Sequence, residues 1–386
     1  MQQASRFHSK KQALKMKKRS PQFSPQLSPQ FSQGQQNQVP FVSVEHMTKI
    51  ILAQGIETFL SELTGYIEDD YKRWMLFDKT PRVASHSQEG VVELMPTSDG
   101  EIYSFKYVNG HPKNSKKGLQ TVTAFGALSD VGSGYPVLLS EMTILTALRT
   151  AATSALAAKH LVLGGEEKTG SSLTMAIIGN GAQSEFQALG FRAVLGIEKL
   201  RLYDIDGTAT DKCADNLEKL GFQIVRCNSV EDVVLGADII TTVTADKQNA
   251  TILTDNMVGA GVYINAVGGD CPGKTELHRD ILLRADIFAE YLPQTRIEGE
   301  IQQLDADHPV TELWEIIQGK SDWKKGRKNV VLFDSVGFAI EDFSALRYVK
   351  DLLLKTDHFQ LLDMIAEPED PRNLYGLLQR SHQSAA

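Results

Sequence analysis

The sharpest hydrophobic signal in the chain is the short run Thr174–Ile178, which breaks at once into Gly179-Asn180-Gly181-Ala182-Gln183-Ser184. An apolar run of that length with β-branched residues predicts a buried strand, and the glycines predict a tight turn after it. Phe186, Leu189, Gly190, Ala193 and Val194 then recur at helical spacing, and residues 200–203 predict a second strand ending at Asp204 and Asp206. This is the opening of a βαβ unit. Residues 222–225, 238–243, 262–267 and 287–291 read as further parallel strands, with helices such as 230–235 between them.

Upstream the pattern is different. Residues 44–71 carry Met47, Ile50, Ile51, Ile56, Phe59, Leu60, Leu63 and Ile67 at helical spacing, interrupted by Gly55 and Gly65, and predict two short helices. The period then drops to two across 91–95, 102–108, 121–128 and 135–139, which predicts a separate antiparallel sheet. Ser140 is placed to cap an alanine-rich helix over 141–161, and 164–170 reads as the linker into the βαβ region. After Leu304 a polar stretch leads to an apolar run at 330–337 and a last helix over 340–354, expected to return to the first domain.

Composition changes this picture in two places. At 386 residues the chain exceeds what one core usually organises, so two domains are expected. The net charge of −8 argues against a general nucleic-acid binder, yet residues 1–44 hold seven Lys and Arg and no acid. Their Pro-Gln-Ser repeats cannot bury enough apolar surface to offset ordering entropy, so residues 1–41 are expected to be a disordered extension, either a plain tail or an organelle transit peptide. Cys213, Cys227 and Cys271 share no metal-ligand spacing and leave an odd number, which fits a reducing compartment; no metal site is expected. No apolar run is long enough to span a bilayer.

The glycine turn carries the first chemistry. Gly179 permits the tight turn, Gly181 lets backbone approach a pyrophosphate, and the following helix N-terminus offers unpaired N–H groups. Ser184 stands where a third small residue usually sits. Asp204, some twenty residues on, is placed to accept hydrogen bonds from the adenosine ribose and to repel a 2′-phosphate, so the expected cofactor is NAD rather than NADP. Ligands in open α/β sheets bind at the carboxyl ends of the strands, so the turns beginning at Thr244, at Gly268 and after Tyr291 should line the cofactor cleft.

The second set of candidates is ionic. Arg82, Lys106 and Arg149 come from three separate elements, the last two in apolar surroundings. Either each points to solvent, or they are buried and need an anion such as a substrate carboxylate, to which an arginine fork is suited. Glu93, within Val-Val-Glu-Leu-Met, is either an outward strand residue or a partner for a substrate ammonium. Asp270 follows two glycines after a buried strand, and is either a turn-forming aspartate or a proton acceptor.

Longer strings then give a resemblance. Arg-Val-Ala-Ser-His-Ser-Gln-Glu-Gly-Val-Val-Glu-Leu-Met-Pro from Arg82, the stretch 133–154, the glycine turn, Asn265 to His278, the stretch 293–304 and the stretch 333–349 are together similar to the ornithine cyclodeaminase and μ-crystallin family over about residues 45–355. That resemblance implies an α/β fold with a Rossmann-type NAD-binding domain at 170–314, inserted in an α+β substrate-binding and dimerisation domain at 42–165 plus 315–386. It implies a homodimer, an L-ornithine substrate, and conversion to L-proline and ammonia by an internal NAD hydride cycle. Arg82, Lys106 and Arg149 then fall on positions that hold the substrate carboxylate, Val336 on a substrate-contacting position, and Asp270 on the catalytic proton donor or acceptor with Glu93 nearby. Thr121, Arg149, Ala182, Gln183, Asp204, Thr244, Val267, Gly268, Gly269, Lys274 and Ser335 fall on NAD-contacting positions. Relatives in such a family also include NAD(P)H-dependent cyclic ketimine reductases, amino-acid dehydrogenases and ligand-binding proteins. A cytoplasmic location is expected, or a mitochondrial one if the basic extension is a transit peptide.

Overall fold

The computed structural model describes residues 38–165, 172–245, 251–269, 271–324 and 329–383. Most of the expected disordered extension, part of the 164–170 linker and Asp270 itself lie outside these residues.

The chain begins with β1 (Gln38–Val42), two helices α1 (Val44–Gln54) and α2 (Ile56–Lys72), and the strands β2 (Val83–His86), β3 (Val91–Ser98), β4 (Ile102–Gly110), β5 (Ala124–Asp130) and β6 (Pro136–Glu141). The long α3 (Thr143–Leu163) follows. The next segment alternates: β7 (Thr174–Ile178), α4 (Ser184–Leu195), β8 (Lys199–Tyr203), α5 (Gly207–Glu218), β9 (Gln223–Arg226), α6 (Val230–Val234), β10 (Ile239–Thr242), β11 (Tyr263–Ala266), α7 (Arg279–Leu283), β12 (Ala285–Ala289), α8 (Leu292–Glu298), β13 (Thr311–Glu312), α9 (Leu313–Ile317) and β14 (Val330–Asp334). The chain then runs through α10 (Ala339–Leu352), β15 (Gln360–Asp363) and α11 (Gly376–Gln383).

Two sheets result. The first has the order β15-β1-β6-β5-β4-β3-β2, in which β3 to β6 form the expected antiparallel meander and β2, which no expected strand covers, extends it. Period-two alternation sets its faces. On β3, Val91, Glu93 and Met95 turn inward while Leu94 turns out, and on β4 Ser104, Lys106 and Val108 turn inward. Glu93 and Lys106 are therefore core-facing residues rather than solvent-facing ones. Residues 38–41, expected to belong to the extension, instead form β1, which pairs antiparallel with β15 and parallel with the end of β6. Pro40 and the neighbouring Gln-rich stretch hide this strand from pattern reading.

The second sheet is all parallel, in the order β13-β12-β14-β11-β10-β7-β8-β9. The strand order reverses between β7 and β10, the place where open α/β sheets form a ligand crevice. The expected boundary at residue 314 needs correction here: β14 lies inside this sheet, hydrogen-bonded to β11 on one side and β12 on the other. Its residues are all buried, as expected for a central parallel strand covered on both faces. Only after β14 does the chain return, as α10, to pack on β3, β4 and β5 of the first sheet.

The alanine-rich α3 packs closely, as expected. Where a Cβ on Gly190 of α4 would lie, the carbonyl oxygen of Ala151 sits 2.9 Å away, so the two helices approach at a point only glycine allows. The start of α3 differs from expectation. Ser140 donates to the Glu141 carbonyl at 2.8 Å and caps nothing; the Glu141 carboxylate instead accepts from the backbone N–H groups of Thr143 (2.9 Å), Ile144 (3.1 Å) and Leu145 (3.3 Å). A buried carboxylate at a helix N-terminus is favoured by the helix dipole and by the orphan donors there.

Candidate active site

A cleft of about 950 Å³ opens along the carboxyl ends of β7, β8, β10 and β11 and reaches the inner face of β3 and β4. Two sets of residues that the sequence suggests separately meet in it. One comprises the glycine turn and its neighbours: Gly179, Gly181, Ala182, Gln183, Asp204, Thr244, Val267, Gly268, Lys274 and Ser335 all line the cleft, and so does Thr121 from the first sheet's loop. The other is ionic: Arg82, Glu93, Lys106 and Arg149, with Val336 beside them. Gly269 lies behind the lining, against Glu300.

The nucleotide side of the cleft has the features that a dinucleotide requires. Gly179 has φ +96°, and a Cβ there would stand 2.8 Å from the carbonyl oxygen of Val243, so the turn after β7 folds tightly onto the end of β10. Gly181, by contrast, has open space where a side chain would be, and it precedes the N-terminus of α4. Backbone N–H groups there meet an open volume, the arrangement that suits a pyrophosphate. Asp204 follows β8 with its carboxylate accepting from the N–H of Asn180 (2.6 Å) and of Asp206 (2.9 Å), which fixes an acid beside the turn. The residues present therefore fit NAD. Lys274 is 2% exposed and donates to the Thr244 carbonyl at 2.9 Å, tying the loop after β11 to the end of β10.

On the ionic side of the cleft the three cationic side chains are buried and already engaged. Arg82 donates to Glu93 at 3.1 Å and to the carbonyls of Val336 (2.6 Å) and Gly337 (2.8 Å), and its Nε lies 3.0 Å from Glu298. Lys106 Nζ is 2.8 Å from Asp342. Arg149 donates from Nη1 to Glu341 at 2.9 Å, and its Nε lies 3.0 Å from the same Asp342. A Cβ on Gly337 would fall 2.5 Å from the Arg149 guanidinium, so this glycine, at φ +75°, is what lets the fork lie flat against the turn after β14.

Burial shapes the charges. The Lys106 ammonium is pushed down to about 8, first by burial and next by the positive Arg149, with Asp342 opposing. Burial and the nearby Glu290 push Glu341 up to about 8. Glu341 takes a hydrogen bond from Tyr71 at 3.0 Å, and Glu290 accepts from Ser335 and from the N–H groups of Val336 and Gly337, the last two at 3.2 Å. Buried cations held by protein acids at the edge of a cleft are a place where a substrate carboxylate gains from bidentate contact.

Asp342, Glu341, Glu290 and Glu298 are absent from the candidates that the sequence suggests. A signal exists for the first two: Glu341-Asp342 stands between Ala339-Ile340 and Phe343 in the apolar first turn of the last long helix, and such acids are buried only when paired.

Comparison with known proteins agrees with this geometry. Residues 44–357 match the ornithine cyclodeaminase/mu-crystallin family. The chain is 69% identical over 349 residues to an ornithine cyclodeaminase of Brucella suis biovar 1 (strain 1330), spanning 90% of this chain and 96% of that protein. Its fold is similar to that of a lysine cyclodeaminase solved to explain recognition of L-lysine, L-ornithine and L-2,4-diaminobutyric acid, with TM-score 0.81 and 27% identity over 88% of this chain and 99% of the other. It is also similar to an archaeal alanine dehydrogenase dimer with bound NAD, with TM-score 0.73 and 26% identity over 84% and 99% of the two chains.

Proposed function

The chain belongs to the ornithine cyclodeaminase/mu-crystallin family, and we propose that it converts L-ornithine to L-proline and ammonia with NAD as a recycled cofactor. The observation that carries this reading is the convergence of Arg82, Lys106 and Arg149, from three separate elements, on the same cleft as the Gly179 turn. A carboxylate-bearing substrate held by those cations lies beside a dinucleotide held by that turn.

In this reading Gly179, Gly181, Ala182, Gln183, Asp204, Thr244, Val267, Gly268, Gly269, Lys274, Ser335, Thr121 and Arg149 hold the cofactor. When bound, NAD supplies a hydride acceptor at Cα of the substrate and, after ring closure and loss of ammonia, a hydride donor to the cyclic imine. Arg82, Lys106 and the Arg149 fork grip the substrate carboxylate, and Arg82 also ties Glu93 and the carbonyls at 336 and 337 around it. Glu93 faces the substrate ammonium. Asp270 takes the proton from the δ-amine, which must be neutral to attack. The seven-stranded sheet with α10 serves as the substrate-binding domain, and the eight-stranded sheet as the NAD domain.

Isotope transfer tests the internal cycle. L-Ornithine deuterated at Cα should give L-proline that keeps the deuterium at Cα in nearly every molecule, read by mass spectrometry. Loss of the label to solvent or to a pool of free reduced cofactor overturns the reading. Asp204 favours NAD over NADP, so the same reaction should proceed without added NADP.

We also read the outer face of the first sheet as a homodimer contact. Val83, Leu94, Tyr107 and Phe125 form one cross-strand row over β2 to β5, with Leu94 44% and Phe125 48% exposed and the Tyr107 and Phe125 rings stacked at 5.0 Å. An exposed apolar row of this kind marks an interaction surface. Light scattering should give twice the 42.6 kDa chain mass, and Phe125→Glu should shift the species to the monomer. A monomeric wild-type protein would remove this assignment. Among the described residues no helix is long and apolar enough to cross a membrane, and the cytoplasm is the compartment we propose.

A further inference from the structure

Lys106 sits on β4 between β3 and β5 and is 1% exposed, so a cationic side chain is enclosed where bulk water does not solvate it. Its cross-strand neighbours carry no charge: Met95 stands opposite on β3 and Gly126 opposite on β5. The glycine brings a helix close. A Cβ on Gly126 would collide with the Met142 sulfur and fall 3.2 Å from Leu346 of α10, so α10 lies against the sheet at the level of Lys106. Asp342 stands one helical turn before Leu346, on the same face of α10. Its carboxylate lies 2.8 Å from Lys106 Nζ.

Asp342 serves two cations at once. The same carboxylate, 1% exposed, lies 3.0 Å from the Nε of Arg149. Lys106 and Arg149 both line the cleft, and Asp342 stands behind them, outside the lining. The other charges on the elements packed around Lys106 do not replace it. Arg149 on α3 and Arg82 ahead of β2 disfavour the lysine's positive charge, while Glu93 on β3 is paired with Arg82 and Glu341 on α10 with Arg149. Burial and Glu290 draw Glu341 toward its protonated form, which leaves Asp342 to balance both cations. Both acids lie in the first turn of α10, where the helix dipole favours negative charge.

We propose that Asp342 is a positioning residue for the reaction: it pairs Lys106 with Arg149 and keeps both cationic toward the cleft, where the carboxylate of an amino-acid substrate docks. This rests on the reading of Lys106 and Arg149 as the carboxylate grip, and adds the acid on which that grip depends. Lys106, at about 8, is charged below that pH and neutral above it, so the grip weakens as pH rises through about 8. Without Asp342, burial and the two arginines act on the ammonium unopposed, and it loses its proton at lower pH. A neutral amine holds a carboxylate far more weakly than an ammonium does.

The test measures kcat and KM for L-ornithine from about pH 6 to about pH 9.5 in full-length wild type, Lys106→Arg, Asp342→Asn and Asp342→Asn/Lys106→Arg. Each lysine protein is divided by its arginine counterpart, in which the cation does not titrate, so ionisation of the substrate cancels. The wild-type ratio of kcat/KM should fall as pH passes about 8. In the Asp342→Asn pair the same fall should come at least about one pH unit lower, so that its ratio is about 10-fold below the wild-type ratio at about pH 8 and within about threefold of it at about pH 6. The loss should fall on KM, with the kcat ratio changed less than about threefold. Asp342→Glu, which keeps the charge, should return the fall to about pH 8. A merely structural role would lower the ratio equally at every pH. Coincident profiles in the two pairs overturn the proposal, as does a flat wild-type ratio or a loss carried by kcat alone. If Asp342→Asn does not fold, Asp342→Ser is read in its place with the same expectation. Wild-type KM in Lys106→Met would instead overturn the reading of Lys106 as part of the grip, whichever way the Asp342 variants behave.

Discussion

Replacing Asp270 with asparagine should lower L-ornithine turnover by about 10²- to 10⁴-fold while NAD affinity and Tm stay close to wild type. The reason is chemical. The δ-amine of ornithine resembles a lysine amine, with a solution pKa of about 10.4, so at neutral pH nearly every molecule carries the ammonium, which cannot attack. A carboxylate that takes or relays that proton removes the barrier, and asparagine, of nearly the same shape, cannot. Gly268, two residues before it, and Cys271, the residue after it, both line the cleft. Equal loss of turnover and of NAD binding in Asp270→Asn would count against this role and point to damage in the cofactor site.

Arg149→Met should be severe in a different way, since it removes one cation from a buried network and leaves its acids behind. Asp342 would keep Lys106 and lose its second cation, while Glu341 would lose the guanidinium it is paired with. Breaking a buried pair on one side costs about 3–5 kcal/mol, which should appear as a clear drop in Tm. On the proposed assignment, catalytic efficiency should fall at least about 100-fold through loss of the fork proposed to grip the carboxylate, with NAD affinity falling too because the same proposal puts Arg149 on both sides of the cleft. Arg149→Lys should recover much of the stability and little of the efficiency, because lysine supplies the charge without the planar fork. If Arg149→Lys restored wild-type efficiency, charge alone would suffice and the bidentate account would fail.

Much of this site is legible in the amino-acid sequence, for physical reasons that differ from residue to residue. The Gly179 turn is legible because strand, turn, helix and terminal acid are consecutive, so the motif is local in sequence. The meander of β3 to β6 is legible because alternation has period two and short turns join most of the strands. What sequence does not supply is pairing over distance. Lys106 and Arg149 advertise that they need an anion, but the anion is Asp342, 236 and 193 residues further on, carried by a helix whose own pattern says only that it is buried. The placement of β14 between β11 and β12 is likewise non-local, and an apolar run with no periodicity does not say which sheet it joins. Ser140 is the natural cap by residue preference, yet the buried Glu141 takes the role because three backbone donors outweigh one hydroxyl contact. Glu276 and Glu300, packed behind Gly268 and Gly269, are hidden for a further reason: in sequence, glycine speaks of turns, and only the packed neighbours reveal that it is making room for a carboxylate.

Stoichiometry separates an internal hydride cycle from net redox chemistry. The purified protein is incubated with excess L-ornithine and a trace of NAD, and proline, ammonia and the absorbance of NADH are followed together. An internal hydride cycle gives many proline molecules per NAD, ammonia equal to proline, and no accumulating NADH. NADH rising in step with product, or saturable ornithine binding with no product, would contradict it.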